Sequence, residues 1–250
     1  MLDTKEMLKM NKAGWDQVAD QFFEGSFDDF RYGPYAPTES QLNLLGDIRN
    51  NVILEVGCGS GHSLEFFAKN NASELWGVDL SGKQIKTAKS VVSAYDIPIY
   101  FIESSMEDIP GLPNNYFDKV VSIYALGWTV DLKKTLSNIF RSLKPRGEFI
   151  FSWEHPIHTK LAYENNRFII NGSFLKEGPE TVIWREVPVV MHRRKVSTFV
   201  NELINAGFVV DQIIEESTIP ENDQSNPERW YSGDRAKITP STLIVKSHKV

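Results

Sequence analysis

Apolar residues in this chain fall into short continuous runs that alternate with stretches in which they recur every three or four positions. Val52, Ile53, Leu54 and Val56 make one run of the kind that forms a strand buried on both faces. Leu64, Phe67 and Ala68 follow at helical spacing. The alternation repeats with a strand at Leu75–Leu80 and a helix carrying Ile85, Ala88, Val92 and Tyr95. Further strands are predicted at Ile97–Ile102, at Phe117–Tyr124 and at Glu148–Trp153. A helix with Leu132, Leu136, Ile139, Phe140 and Leu143 on one face lies between the last two. Strands alternating with helices over this span predict an α/β domain with a parallel sheet.

Outside that span the pattern changes. Trp15, Val18, Ala19, Phe22 and Phe23 give residues 10–23 one apolar helical face, and an aromatic segment with Phe27, Phe30, Tyr32 and Tyr35 follows among glycine and prolines. Such a helix either packs on the domain or closes over it as a lid. A short helix around Leu42, Leu44 and Leu45 then brings the chain to the core. Phe168-Ile169-Ile170 and Phe174-Leu175 flank Asn171-Gly172, which predicts a β-hairpin turning at Asn171-Gly172, and Thr181–Trp184 predicts another strand. A helix from Ser197 to Ala206 closed by Gly207, a strand from Phe208 through Ile214 and a strand from Ser241 to Val245 complete the pattern, with a long polar loop at 220–234.

The stretch Asn51–His62, NVILEVGCGSGH, carries the chemistry. A strand that turns through glycines into a helix brings bare backbone amides and a helix N-terminus to a ligand. The glycines alternate as G-x-G-x-G, preceded by Glu55; a dinucleotide turn has G-x-G-x-x-G, so the third glycine falls one residue early for NAD. Asp79 ends the next strand, where an α/β sheet offers a carboxylate to ribose hydroxyls. Ser81 and Gln84 read as a capping box for the helix beyond, which leaves Asp79 for ligand work.

Glu55-Val56-Gly57-Cys58-Gly59-Ser60-Gly61 resembles motif I of the class I S-adenosylmethionine-dependent methyltransferases. Phe117-Asp118-Lys119-Val120 is similar to the family's F-D-x-V, and Arg141-Ser142-Leu143-Lys144-Pro145-Arg146-Gly147 to its R-x-L-K-P-G-G; the motifs run in family order from 51 to 153. The segment from His192 to Glu215 resembles the closing part of many small-molecule members. This resemblance implies a doubly wound, mostly parallel seven-stranded sheet, with residues 1–40 as an N-terminal helical lid, 41–156 as cofactor-binding core, 157–190 as an inserted β-hairpin region after strand five and 191–250 completing a single domain. It implies S-adenosylmethionine as cofactor, held by Glu55, Gly57, Cys58, Gly59, Asp79, Leu80, Ser105, Met106 and Tyr124. Ser105 stands where the family has an aspartate near adenine, and Gly127-Trp128 where it often has histidine.

Candidates for the acceptor side lie at strand ends. His155, directly after strand five, is a candidate general base or a packed histidine. His192 and Arg193 are candidates for catalysis or for binding an acceptor carboxylate or phosphate, or simply begin a helix. Trp15, Tyr32, Tyr35, Trp128 and Trp153 are candidate walls of a mostly apolar or cationic acceptor pocket, or core residues. The H-x-x-H of His155 and His158 lacks further ligands and Pro156 disfavours a helix there, so no metal is expected. Cys58 reads as a small packed residue rather than a nucleophile.

Composition sets the remaining bounds. Hydrophobic residues make up 41% of 250, enough for one large domain, and no apolar run approaches a membrane span. The single cysteine and the charged N-terminus, without a secretory pattern, predict a cytoplasmic protein. A net charge of −6 opposes a nucleic-acid partner. The reading is methyl transfer from S-adenosylmethionine to a small molecule at O, N or C; an RNA methyltransferase and a non-catalytic cofactor-binding protein are the alternatives.

Overall fold

The computed structural model describes residues 2–21, 29–224 and 226–250. Its centre is a seven-stranded sheet of β1 (Val52–Val56), β2 (Glu74–Asp79), β3 (Ile99–Glu103), β4 (Phe117–Ile123), β5 (Leu143–Glu154), β10 (Phe208–Ile214) and β11 (Thr242–Lys249). The strands lie in the order β10-β11-β5-β4-β1-β2-β3. The five from β3 to β5 pair in parallel, and β11 runs antiparallel to both β5 and β10. The chain winds outward from β1 to β3, then crosses back to β4 on the other side of β1. That reversal opens a crevice at the carboxyl ends of β1 and β4.

Both sheet faces are covered, which explains the near-continuous apolar runs. Leu54 and Val56 of β1 belong to one core with Val120, Phe149 and Phe151, and Ile53, Val121 and Ile150 to the other. On the first face pack α5 (Leu132–Ser142), through Leu132, Leu136 and Ile139, and α6 (Val196–Ala206), through Phe199 and Leu203. The second face takes α3 (His62–Lys69) through Leu64 and Phe67, Val92 just after α4 (Gly82–Val91), and Leu44, Leu45 and Ile48. Leu44 and Leu45 lie beyond the short helix α2 (Glu39–Leu42), whose left-handed cap at Asn43 (φ 48°) ends it before they are reached.

The N-terminal helix α1 (Thr4–Val18) begins earlier than its apolar face suggests. Asp3 accepts from the Glu6 amide and Glu6 from the Asp3 amide, a complete capping box. A 3₁₀ turn, Ala19–Gln21, continues it; Phe22, Phe23 and Phe27 lie outside the described residues.

The insertion holds two hairpins, neither at Asn171-Gly172. The first joins β6 (Leu161–Glu164) to β7 (Arg167–Ile170) through Asn165-Asn166, at φ 50° and 60°. The second joins β8 (Gly178–Trp184) to β9 (Val187–Arg193) through Arg185-Glu186, at φ 47° and 70°. Both central residues positive is the two-residue turn that suits strand twist. Asn11 of α1 clamps the second hairpin, donating to Val190 O at 3.0 Å and accepting from Val190 N at 2.6 Å. A short helix, α7 (Gly233–Ala236), precedes β11.

Candidate functional site

The turn after β1 is pinned to β2. Gly57 N and Cys58 N both donate to Val78 O, at 2.7 and 2.9 Å, and Gly59 N donates to Asp79 Oδ2 at 2.9 Å. Gly57 needs its glycine twice: its φ is 78°, and a Cβ there would overlap Ala125 Cβ. Gly59, at φ 50°, has no atom within 4 Å of the place a Cβ would occupy, so the space above it is open. That space belongs to a cavity of about 320 Å³ at the carboxyl ends of β1, β2 and β4.

Two carboxylates border it under unusual conditions. Glu55 is buried and its Oε2 has no partner; burial pushes its carboxyl up to about 8 against the Ser63 hydrogen bond, with a smaller push from the Asp79 charge. Asp79 is also raised by burial, against the two amides that hold it, Gly59 N and Ser81 N, the latter at 2.8 Å to Oδ1. The expected capping box is therefore half made: Ser81 Oγ accepts from Gln84 N, but Gln84 Oε1 accepts from Ser60 Oγ at 2.5 Å and the Ser81 amide goes to Asp79. Asp79 is positioned by the turn rather than left over from it.

All nine residues expected around a cofactor, Glu55, Gly57, Cys58, Gly59, Asp79, Leu80, Ser105, Met106 and Tyr124, line this one cavity. Tyr124, at φ 52° just past β4, has its hydroxyl held by Thr242 Oγ1 at 2.7 Å, and burial raises it. The Cys58 thiol is pushed well above its ordinary range by burial and by the Asp79 and Glu55 charges, which keeps it protonated and inert. Of the five aromatic wall candidates, Trp15 and Trp128 line the cavity as an edge-to-face pair with ring centroids 5.1 Å apart.

The other three lie elsewhere. Tyr32 is fully buried in the second core with its hydroxyl 2.5 Å from Glu39. Tyr35 reaches Asp223 at 2.5 Å, and Trp153 is a core residue behind Trp128. Gly127 explains why no histidine stands there: a Cβ at 127 would fall inside the Trp153 indole.

The two candidate histidines, His155 and His192, also lie outside the cavity. His155 is buried away from the cavity, Nε2 to Glu215 at 2.7 Å, and burial lowers it against that hydrogen bond. His192 lies on β9 outside the cavity, taken down to about 4 by burial and then by Arg194. The insertion also does not line the cavity among the described residues; Val187 and Val189 instead buttress the wall, packed with Val18, Trp15 and Trp128. In the stretch expected as a loop, Trp230 and Tyr231 anchor the described residues to Glu154.

Residues that the sequence did not single out complete the lining: Asn11, Asp29, Arg31, His62, Glu107 and Thr129. His62 opens α3 directly after the glycine turn, and that position is its signal. Glu107 is buried, its Oε1 accepting from Thr129 Oγ1 at 2.5 Å and from Val130 N at 2.6 Å.

Residues 54–151 match the family description of a methyltransferase domain. An S-adenosylmethionine-dependent methyltransferase of Mesorhizobium loti superposes with a TM-score of 0.70 at 26% identity, over 84% of this chain and 96% of that one. The matched segment and the superposed fold are those of an S-adenosylmethionine-dependent methyltransferase. This methyltransferase is 28% identical to an uncharacterized protein of Haemophilus influenzae, over 92% of the chain and 95% of the relative. It is 34% identical to the uncharacterized methyltransferase YdaC of Bacillus subtilis, over 43% of the chain and 58% of the relative. The cavity's chemistry fits the methyltransferase cofactor: an orphaned buried Glu55 oxygen suits an ammonium, and the open space above Gly59 admits a ligand against bare backbone. Among the described residues, no group of side chains suits a metal ion and no helix is long and apolar enough to cross a membrane.

Proposed function

We propose that this methyltransferase acts on a small-molecule acceptor, at O, N or C, that enters the crevice beneath α1. The observation that carries this is the roof: Leu8, Asn11 and Trp15 of α1 line the same cavity as the glycine turn and Trp128. The lining carboxylates Asp29, Asp79 and Glu107 outnumber the one guanidinium, Arg31, a balance that repels a phosphate backbone. The bound cofactor supplies a methyl group on a positively charged sulfur.

Around it each residue has a task. The Gly57–Gly59 backbone meets the methionine part with Glu55 at its ammonium, Asp79 takes the ribose hydroxyls, and Leu80, Ser105 and Met106 flank adenine. Tyr124, Trp15 and Trp128 shape the acceptor side and exclude water from the transfer. His62 is the candidate for accepting a proton from the acceptor, because among the described residues it is the histidine the cavity presents. Residues 1–250 act as one domain, with 1–40 as lid, 41–156 as core, 157–190 as buttress and 191–250 closing the sheet. The single cysteine supports action in the cytoplasm.

A second reading, cofactor binding without turnover, is favoured by His155 and His192 lying away from the cavity. Incubation with methyl-labelled donor separates the readings. Label in a small-molecule extract supports the proposal. Label in tRNA alone, or binding with no label in either pool, contradicts it.

A further inference from the structure

Trp153 divides two cavities. Its ring meets those of Trp128 and Tyr124, at 5.4 and 5.8 Å between centroids, and both of these line the large cavity. Trp153 itself lines a second space, of about 20 Å³, between the end of β5, the turn after it and β9.

The smaller space is cationic. Lys160, Lys176, Arg193 and Arg194 line it beside His192, with Glu154 as its carboxylate. The acids within reach are engaged. Glu154 accepts from Trp230 Nε1 and, at 2.8 Å, from Tyr231 Oη. Glu180 takes Arg193 Nε at 2.5 Å. Nitrogens, by contrast, are left over: the guanidinium donors Arg193 Nη1 and Arg194 Nη1, and His192 Nε2, are buried with no hydrogen-bond partner, Arg193 Nη1 lying 3.7 Å from Glu154 Oε2. Buried donors in native proteins are almost always satisfied, so several unpartnered nitrogens on one cavity make it a place where an acceptor, water or an anionic oxygen, is held. Arg194 is fixed in place, its Nη2 donating to Thr129 O at 2.7 Å, and Thr129 lines the large cavity.

We propose that this smaller cavity is a carboxylate-binding subsite, in which Arg193, Arg194 and His192 donate to the ligand's oxygens and Lys160 and Lys176 draw it in from solvent. Guanidinium groups match a planar carboxylate with paired donors. The space, close to that of a water or two, suits carboxylate oxygens better than a tetrahedral phosphoryl group. Trp153, backed by Trp128 and Tyr124, separates it from the large cavity, so its ligand is either a carboxylate-bearing acceptor that reaches around these rings or a free carboxylate metabolite, two sources with the same chemistry.

The test uses the full chain with S-adenosylhomocysteine in excess, whose own binding is measured separately. Acetate is titrated against chloride at constant ionic strength while the His192 ring Cε1–H resonance is followed. The His192 signal reads the small cavity whether or not a methyl group is transferred, so its failure and that of the methyltransferase reading are distinguishable. The expected result is a saturable displacement whose Kd rises about tenfold in Arg193→Gln. The paired Lys160→Gln and Lys176→Gln substitutions, at a half-buried and an exposed side chain, raise it about fivefold in a chain that still folds. No saturable displacement, an unchanged Kd in both variants, or displacement by phosphate with none by acetate overturns the proposal. Methyl-labelled donor then separates the two sources: a labelled acid is an acceptor, and a bound acid that stays unlabelled is a free metabolite, the subsite standing in either case.

Discussion

Glu55 shows how one buried group ties the site to pH. Without a partner for Oε2, its carboxyl is pushed up to about 8, so near neutral pH it keeps its proton. An ammonium placed beside it favours the charged form and brings it down. Binding below about pH 8 therefore expels a proton, and affinity for S-adenosylhomocysteine rises from about pH 6 to about pH 8 and then levels off. Calorimetry in buffers of different ionisation enthalpy checks this, with Glu55→Gln expected to remove the slope. A flat affinity across that range contradicts it. The two turn glycines separate folding from binding. Gly57→Ala, at φ 78° and overlapping Ala125, should cost about 3 kcal/mol or more of stability. Gly59→Ala, with open space and φ 50°, should cost ~1 kcal/mol yet weaken cofactor binding about tenfold, because its methyl enters the cavity. Thermal unfolding and calorimetry on the two proteins give the comparison.

At the scale of elements, α1 is the piece whose attachment matters most. Its outer end is held through Lys12, which donates to Leu80 O at 3.0 Å and Glu103 Oε1 at 2.5 Å, and through Asp16, which accepts from Ser81 Oγ at 2.6 Å. Leu80 also lines the cavity, so the helix is tethered to the floor that it covers. Lys12→Ala should loosen the roof: about fivefold weaker cofactor binding and faster proteolysis within residues 2–21, with a Tm change small beside that of Gly57→Ala, since an exposed ion pair contributes little to global stability. Unchanged proteolysis and affinity would show that Asp16 and Asn11 hold the helix without Lys12. This end of the chain was only partly legible. The apolar spacing marks the helix from residue 10, while the D-x-x-E of Asp3 and Glu6 that starts it is a polar signal. The insertion departs from its composition for a related reason. Asn171-Gly172 has the composition of a tight turn, yet the chain turns at Asn165-Asn166, a pair that also accepts positive φ, and at Arg185-Glu186, where composition gives no hint. At the second turn packing chooses: Arg185 reaches Gln21 O at 3.1 Å while Asn11 fixes Val190.

Across the whole molecule, what was legible follows from the doubly wound sheet. Strands buried on both faces must be apolar throughout, so β1, β2, β4 and β5 stand out, and a reversal of strand order must put the glycine turn and the β2 acid at one crevice. That is why nine separated residues, from Glu55 to Tyr124, could be assigned to one cavity. Aromatic and histidine residues were not legible in the same way. Tyr32, Trp153, His155 and His192 are of types equally suited to a pocket wall and to a packed interior, and only the layering decides between them.

The central claim, that this crevice is built for S-adenosylmethionine with Asp79 on the ribose, is tested most directly by calorimetric titration with S-adenosylhomocysteine of the wild type and Asp79→Ala. Saturable binding near one molecule per chain, weakened about a hundredfold in Asp79→Ala, is the expected result. A folded wild-type chain that takes up no S-adenosylhomocysteine, or an Asp79→Ala variant that binds it equally well, would contradict the assignment.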